Sequence, residues 1–465
     1  TEDWGPGVSP PDLGPAGPED VAERVAREQA DFRRDDLPGP GGAPSAGHAG
    51  HARHSGEPAG LDRACARGLA DLAQLLVPAE GPDGERVLMP GAGVPWFLTP
   101  FGRDSLLTSF FALPYRPGLA RGTLLALAAT QATAHEPERV AQPGKIVHEV
   151  RHGELAHFGQ VPYGRYYGSV DSTPLFLALL HAYTERTGDR SVARRLEPHA
   201  RAATGWLHRD GGLGERGYLV YEADPNGLLN QNWKDSAGAV CFPDGSQATG
   251  SVAVAEAQGY AYDALRRTAA LAREVWGDAS WAAELDAAAA DLRGRFHRDF
   301  VPSGTGFPAL ALDGDGRRAD VLASDAGHLL WSGILEPETA RLVGRRLVAD
   351  DFFSGWGIRT LAAGQAPYHP LSYHRGSVWP HDNAIAVLGM STYGLHEEAA
   401  TVCAGLLAAS AHFGHRLPEL FSGHARRADG PAGPIPYPHA NSPQAWAAAT
   451  PLALLTAVRS RRQGA

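Results

Sequence analysis

NQNWKDSAG, residues 230–238, gathers residues that this chain otherwise hardly uses: Asn230 and Asn232 are two of five asparagines, and Lys234 is one of two lysines. Of 42 basic Lys and Arg residues, only Lys145 and Lys234 are Lys. In a chain rich in Ala, Gly, Pro and Arg, where Arg serves as the general surface cation, a retained Lys points to a place for a compact ammonium. The other rare residues fall in similar stretches. Lys145 lies in GKIVHEVRHGE (144–154), Asn226 just ahead of NQNWKDSAG, Asn383 in HRGSVWPHDNA (374–384), and Asn441 opens NSPQAW (441–446).

Working outward, apolar helical periodicity predicts twelve helices, over 62–77, 104–113, 118–135, 171–187, 191–208, 247–275, 278–296, 324–332, 336–348, 380–394, 396–413 and 442–459. Strand-like alternation is confined to short pieces such as GYLVYEA (217–223). The polar and aromatic motifs each lead into an even-numbered helix. PWFLTPFGRDS precedes the second, YYGSVDSTP the fourth and NQNWKDSAG the sixth. SDAG starts the eighth, HRGSVWPHDNA leads into the tenth and NSPQAW starts the twelfth. Six inner helices wrapped by six outer ones would bring these junctions to one face, so the expectation is a mainly α (α/α)6 barrel over 61–465 with one pocket. Asp, Ser, Thr and Pro at helix starts are also ordinary caps and first-turn residues, but capping does not account for Trp, Arg, His and Gln at the same junctions.

Residues 1–60 read as a Pro/Gly-rich arm, partly disordered, with one short helix at VAERVAREQADFRRD. His48, His51 and His54 lie in it without Cys or carboxylates at ligand spacing, so they read as solvated loop rather than metal site. A net charge of -10 and the lack of a basic stripe interleaved with aromatics argue against nucleic acid. No apolar run reaches membrane-spanning length. The three cysteines, Cys65, Cys241 and Cys403, are few and scattered, which suggests a reducing, cytoplasmic setting. No motif calls for a metal or cofactor.

Trp96, Trp233, Trp331, Trp356, Trp379 and Trp446, six of ten tryptophans, sit in or near the junction motifs. Aromatic faces pack on sugar rings while carboxylates, amides and Arg bond hydroxyls, so the ensemble suggests a saccharide pocket. Glycoside hydrolysis uses two carboxyl groups, and the candidates are Asp104, Glu149, Glu154, Asp171, Asp235, Asp325, Asp382 and Glu419. Glu149 and Glu154 read as ion-pairing residues of the pocket wall near Lys145. Asp235, placed at an inner-helix start, would have its pKa lowered by the helix end. Burial against Trp233 or a charge on Asp171 would have to oppose this, with Lys234 turned elsewhere. Glu419, in LPELFSG, reads as a partly hydrated loop carboxylate.

PWFLTPFGRDSL, GKIVHEVRHGELA, YYGSVDSTPLF, NQNWKDS, EAQGYAYDA, HRGSVWPHDNA, PELFSG and YPHANSPQAWAA together resemble the bacterial amylo-alpha-1,6-glucosidase (glycogen debranching enzyme-like) family over about residues 60–460. More distantly they are similar to the inverting (α/α)6 glycosidases that include mannosylglycerate hydrolase, processing alpha-glucosidase and trehalase. The resemblance implies Asp235 as general acid, Glu419 as general base, and Asp104 with Arg103 on the hydroxyls of the terminal sugar. Trp96, Phe97, Asp171, Trp233, Lys234, His374, Arg375, Trp379, Gln444 and Trp446 are the further expected substrate-binding residues. Family members usually carry an N-terminal β-rich domain; here about 60 low-complexity residues precede the barrel. The leading expectation is an exo-acting, inverting alpha-glucosidase on oligosaccharide or glycogen-type ends. A hydrolase of a glucosylglycerate, mannosylglycerate or trehalose type, a glycoside phosphorylase, and a non-catalytic sugar-binding protein are the alternatives.

Overall fold

Ser172–Thr187 carries apolar or small side chains on nearly all sides and buries twelve of its sixteen residues. A helix apolar all round belongs inside other helices. Pro337–Leu347 buries only Ala340, Val343, Gly344 and Leu347, a single stripe at helical spacing, and lies outside. The structure, a computed structural model, describes residues 58–151, 164–225 and 227–463 together with Phe32, Glu154 and Phe158. Phe32 apart, these belong to one compact unit, Ala52–Ala465. Of the expected arm over 1–60 only Phe32 and residues 58–60 are described; His48, His51 and His54 lie outside the described residues, as does Asn226.

In chain order the helices are α1 Leu61–Gln74, α2 Gly102–Ala112, α3 Pro117–Ala129, α4 Ser172–Thr187, α5 Arg190–Arg195, α6 Glu197–His208, α7 Ala255–Leu271, α8 Ala279–Phe300, α9 Asp325–Ser332, α10 Pro337–Leu347, α11 Pro380–Thr392, α12 His396–His412 and α13 Ala445–Gln463. Helix α2 packs on α4, α4 on α7, α7 on α9, α9 on α11, α11 on α13, and α13 back on α2. That closes an inner ring of six. Helices α1, α3, α6, α8, α10 and α12 pack against it from outside, so the fold is the expected (α/α)6 barrel.

Several boundaries differ from the sequence reading, each for a local reason. The expected 191–208 helix divides at Leu196, because Pro198 fits the first turn of a new helix and not the interior of an old one. The expected 247–275 helix begins only at Ala255, since Ala253–Val254 (β3) pairs antiparallel with Ala311–Leu312 (β4); it ends in a π-helical turn over Ala272–Trp276. Within 217–223 only Tyr221 pairs, in an isolated bridge to Val252. An unexpected hairpin, Leu76–Glu80 (β1) with Arg86–Pro90 (β2), follows α1. Among the described residues no helix is long and apolar enough to cross a membrane, and no group of three potential ligands is arranged to hold a metal ion.

Candidate active site

The carboxylates at the inner-helix starts do not cap. No side-chain cap bond forms at the N-termini of α2, α4, α7, α9 or α11, whereas Asp278 caps the outer α8 through Trp281 N at 3.0 Å. The inner carboxylates are engaged elsewhere. Asp171 accepts two bonds from Arg103 Nη1, at 3.2 and 3.0 Å, and one from Ser169. Asp104 Oδ1 accepts from Gln444 Nε2 at 3.0 Å. Asp325 accepts from Trp233 Nε1 at 3.0 Å and from Lys234 Nζ, and Asp382 pairs with His328 at 2.8 Å.

These junctions enclose a pocket of about 220 Å³ lined by Phe97, Arg103, Asp104, Trp233, Asp235, His374, Trp379, Glu419, Gln444 and Trp446. Ala92, Phe101, His148, Glu149, Arg151, Leu228 and Tyr373 complete the wall. Ten of the fourteen residues expected from sequence thus meet here. Asp171 stands behind Arg103 and is fully buried. Trp96 is 62% exposed, with its backbone N–H donating to Asn441 Oδ1 at 3.3 Å. Arg375 is outside the lining. Lys234 does not reach the pocket: its ammonium is buried against Asp325 and the Thr360 carbonyl, the latter at 2.8 Å. A buried cation needs a counter-charge and acceptors, and both lie on the far side of the segment.

Asp235 is not at a helix start, as expected, but in the loop twenty residues ahead of α7, so no helix end lowers its pKa. Its partner among the described residues is Arg103 Nη2, at 3.3 Å. Burial pushes the Asp235 carboxyl up to about 6; Arg103 opposes this, and the charges of Asp171, Glu149 and Glu419 add to it. Asp104 is driven further, up to about 7, by burial against the opposition of Arg103 and with help from Asp235 and Glu419.

Glu419 is 4% exposed, so the partly hydrated loop carboxylate expected from sequence is a buried one. It accepts from Asn441 N at 2.7 Å, Asn441 Nδ2 at 2.8 Å and the Tyr373 hydroxyl. Burial raises its pKa, and all three donors work against that rise. The aromatic side of the pocket is equally fixed. His374 stacks on Trp379 with centroids 5.0 Å apart, Trp446 stacks on His381 at 3.6 Å, and Trp379 Nε1 donates to Tyr373 O at 2.8 Å.

Glu149 does form a wall ion pair, with Arg151 Nε at 2.6 Å; Lys145 instead packs over Trp206 away from the lining. Glu154 is exposed. The sequence reading missed Tyr373, Arg151, His148, Phe101 and Leu228 as pocket residues. Tyr373 stands one position before the motif boundary drawn at His374. Glu149 and Arg151 carry an i,i+2 signal, since the chain there is extended and Glu149 bridges Phe101 and Tyr166.

Carboxyl groups, arginines and stacked aromatics around one pocket of an (α/α)6 barrel are the groups a glycoside hydrolase needs to bind and cleave a sugar. The sequence model of the mannosylglycerate hydrolase MGH1-like glycoside hydrolase domain matches residues 130–418, more than half of the chain, and the chain belongs to that family. Among solved structures it is similar to the GH63 mannosylglycerate hydrolase from Thermus thermophilus. The form in complex with Tris and D-glycerate is 16% identical at a TM-score of 0.63, covering 84% of this chain and 100% of the other. The form in complex with glucose is 17% identical at a TM-score of 0.60, covering 84% and 98%. No curated protein matches.

Proposed function

We propose that the chain is an exo-acting, inverting glycoside hydrolase in which Asp235 is the general acid and Glu419 the general base, acting on alpha-glucosyl ends of oligosaccharide or glycogen-type chains. The observation that carries this is the unequal environment of two carboxyl groups facing one pocket. Among the described residues Asp235 has a single long contact, and burial biases it toward its protonated form; Glu419 has three donors that favour the anion. An acid and a base are what inversion requires, with a separation of roughly 6.5–9.5 Å to admit water. A buried, donor-held Glu419 also supports hydrolysis over phosphorolysis, in which phosphate would replace the activated water.

The pocket volume, about 220 Å³, is below the ~300–1,000 Å³ of sites for drug-sized ligands, and suits one sugar ring entered from a chain end. Trp96, exposed beside the lining residue Phe97, supplies an aromatic face for a second ring. A second reading, a small glycoside with an acidic aglycone such as glucosylglycerate or mannosylglycerate, is favoured by the family and by Arg151, whose guanidinium lies in the wall 5.3 Å from the Phe97 ring centroid.

The test is proton NMR of sugar released from maltotriose, isomaltose, glucosylglycerate and mannosylglycerate. The expected result is glucose from an alpha-glucan end, appearing first as the β-anomer. The α-anomer first would overturn inversion, turnover confined to the glycerates would establish the second reading, and a strict need for phosphate would make the protein a phosphorylase.

A further inference from the structure

Asp235 is the product of a loop, and something other than secondary structure must aim it. Between Gly227 and Val252 the chain forms no helix or strand. It is held instead by the side chains that lead up to the acid. Asn230 Oδ1 accepts from Tyr221 Oη at 2.9 Å, and Asn230 Nδ2 donates to Ser236 O at 2.8 Å. Gln231 Nε2 donates to Glu222 O at 2.8 Å, and Asn232 Nδ2 donates to Glu256 Oε1 at 2.7 Å. The next two residues share one anchor. Trp233 Nε1 donates to Asp325 Oδ1 and Lys234 Nζ to Asp325 Oδ2, so both oxygens of a single carboxylate are used on consecutive side chains.

Asp325 is the first residue of α9, one position past the N-cap Ser324, and its carboxylate is spent on side chains of the loop that carries Asp235. It is 1% exposed, and its charge is matched by an ammonium that is equally buried. Because Trp233 faces the pocket and Lys234 is drawn to the opposite side, Asp235 is left pointing back toward Arg103. The same arrangement keeps the cation of Lys234 away from its neighbour. Arg in place of Lys could not put one compact donor on both Asp325 and Thr360 O, which accounts for the retained lysine.

We infer that Asp325 is a positioning residue: by clamping Trp233 and Lys234 together it sets the direction of the Asp235 carboxyl and holds the Lys234 ammonium off it. This rests on the proposed role of Asp235 as general acid, and the experiment separates the two. Asp325→Asn keeps the shape but offers one acceptor where two are used. Lys234→Met/Asp325→Leu removes the buried pair as a unit, which buried pairs commonly tolerate, and serves where the single variant folds poorly.

Both variants are compared with wild type and Asp235→Asn on maltotriose and on α-glucosyl fluoride, whose departure needs little protonation, and a crystal structure of each is determined. The expected result is a kcat on maltotriose lower by roughly ten- to a hundredfold at little-changed KM, a much smaller loss on the fluoride, and an Asp235 carboxyl moved off Arg103 while the Arg103–Asp171 pair stays. An Asp235 carboxyl unmoved in both variants overturns the positioning role whatever the kinetics. A moved carboxyl with equal losses on both substrates leaves the positioning role in place and removes Asp235 as the acid.

Discussion

The two walls of the pocket hold their carboxylates in opposite ways. On the wall built from the middle of the chain, Asp235 shares one guanidinium with Asp171, and Asp171 takes the better of it: two contacts near 3.1 Å on a buried carboxylate against one at 3.3 Å on a side chain that is 29% exposed. On the wall built from the C-terminal third, Glu419 is enclosed by Tyr373 and by both the backbone and side-chain N–H groups of Asn441. A carboxyl with little to lose on protonation and one that would strand three donors are suited to different roles. The sequence separated them on the wrong ground, a helix start for Asp235 and a hydrated loop for Glu419, whereas both lie in loops and differ in their donors.

The sharpest way to break this contrast is to remove each carboxylate in turn. Glu419→Gln should lower kcat by roughly 10³–10⁴-fold on maltotriose and on α-glucosyl fluoride alike, because every substrate needs its water activated. Asp235→Asn should lower kcat by roughly 10²–10⁴-fold on maltotriose and far less on the fluoride. Steady-state kinetics on the two substrates decides the matter. Equal leaving-group dependence in the two variants would erase the difference between the walls.

How the barrel could be read in advance, and the walls only in part, follows from what each depends on. The ring was legible because apolar periodicity marked a succession of helices and the polar and aromatic motifs fell ahead of every second one, as an alternation of inner and outer helices requires. Polar motifs ahead of every second helix then placed Arg103, Asp104, Trp379, Gln444 and Trp446 at one end. What periodicity cannot carry is the direction of a side chain in a loop. Lys234 and Asp235 are adjacent, yet one faces Asp325 and the other the pocket. Rarity misled in the same way at Lys145, whose ammonium meets the face of Trp206 and the Val140 carbonyl, and which burial pushes down to about 7. Capping, an ordinary reading for Asp104, Asp325 and Asp382, fails because the N-caps of their helices are Phe101, Ser324 and Trp379, which leaves the three carboxylates inside the first turn and bonded to distant side chains.

A milder change acts on the first wall. Arg103→Lys keeps one positive charge near Asp171 but loses the fork that also reaches Asp235. Arg103 lowers the Asp235 pKa, so withdrawing it should raise that value, and an acid stays protonated to higher pH when its pKa is higher. The basic limb of the kcat profile, expected near pH 6 in the wild type, should therefore move up, with kcat at the optimum down by about tenfold, equivalent to ~1.4 kcal/mol in the barrier. A basic limb that stays in place would detach it from Asp235.

The smallest effect should come from the second wall. Tyr373→Phe removes one of the three donors to Glu419 while leaving both Asn441 bonds and the ring in place. A donor to the anion lowers its pKa, so its loss raises the Glu419 pKa beyond the upward shift that burial already causes. A base must be deprotonated to act, which sends the acidic limb to higher pH by roughly one unit, the scale of a hydrogen bond to a charged group. The basic limb belongs to Asp235 and should not move, so the active range narrows from below and kcat at the optimum falls only severalfold. The pH dependence of kcat for Tyr373→Phe beside that for Arg103→Lys gives each wall its own limb. If Tyr373→Phe shifts the basic limb instead, the assignments of acid and base exchange, and Glu419 becomes the proton donor.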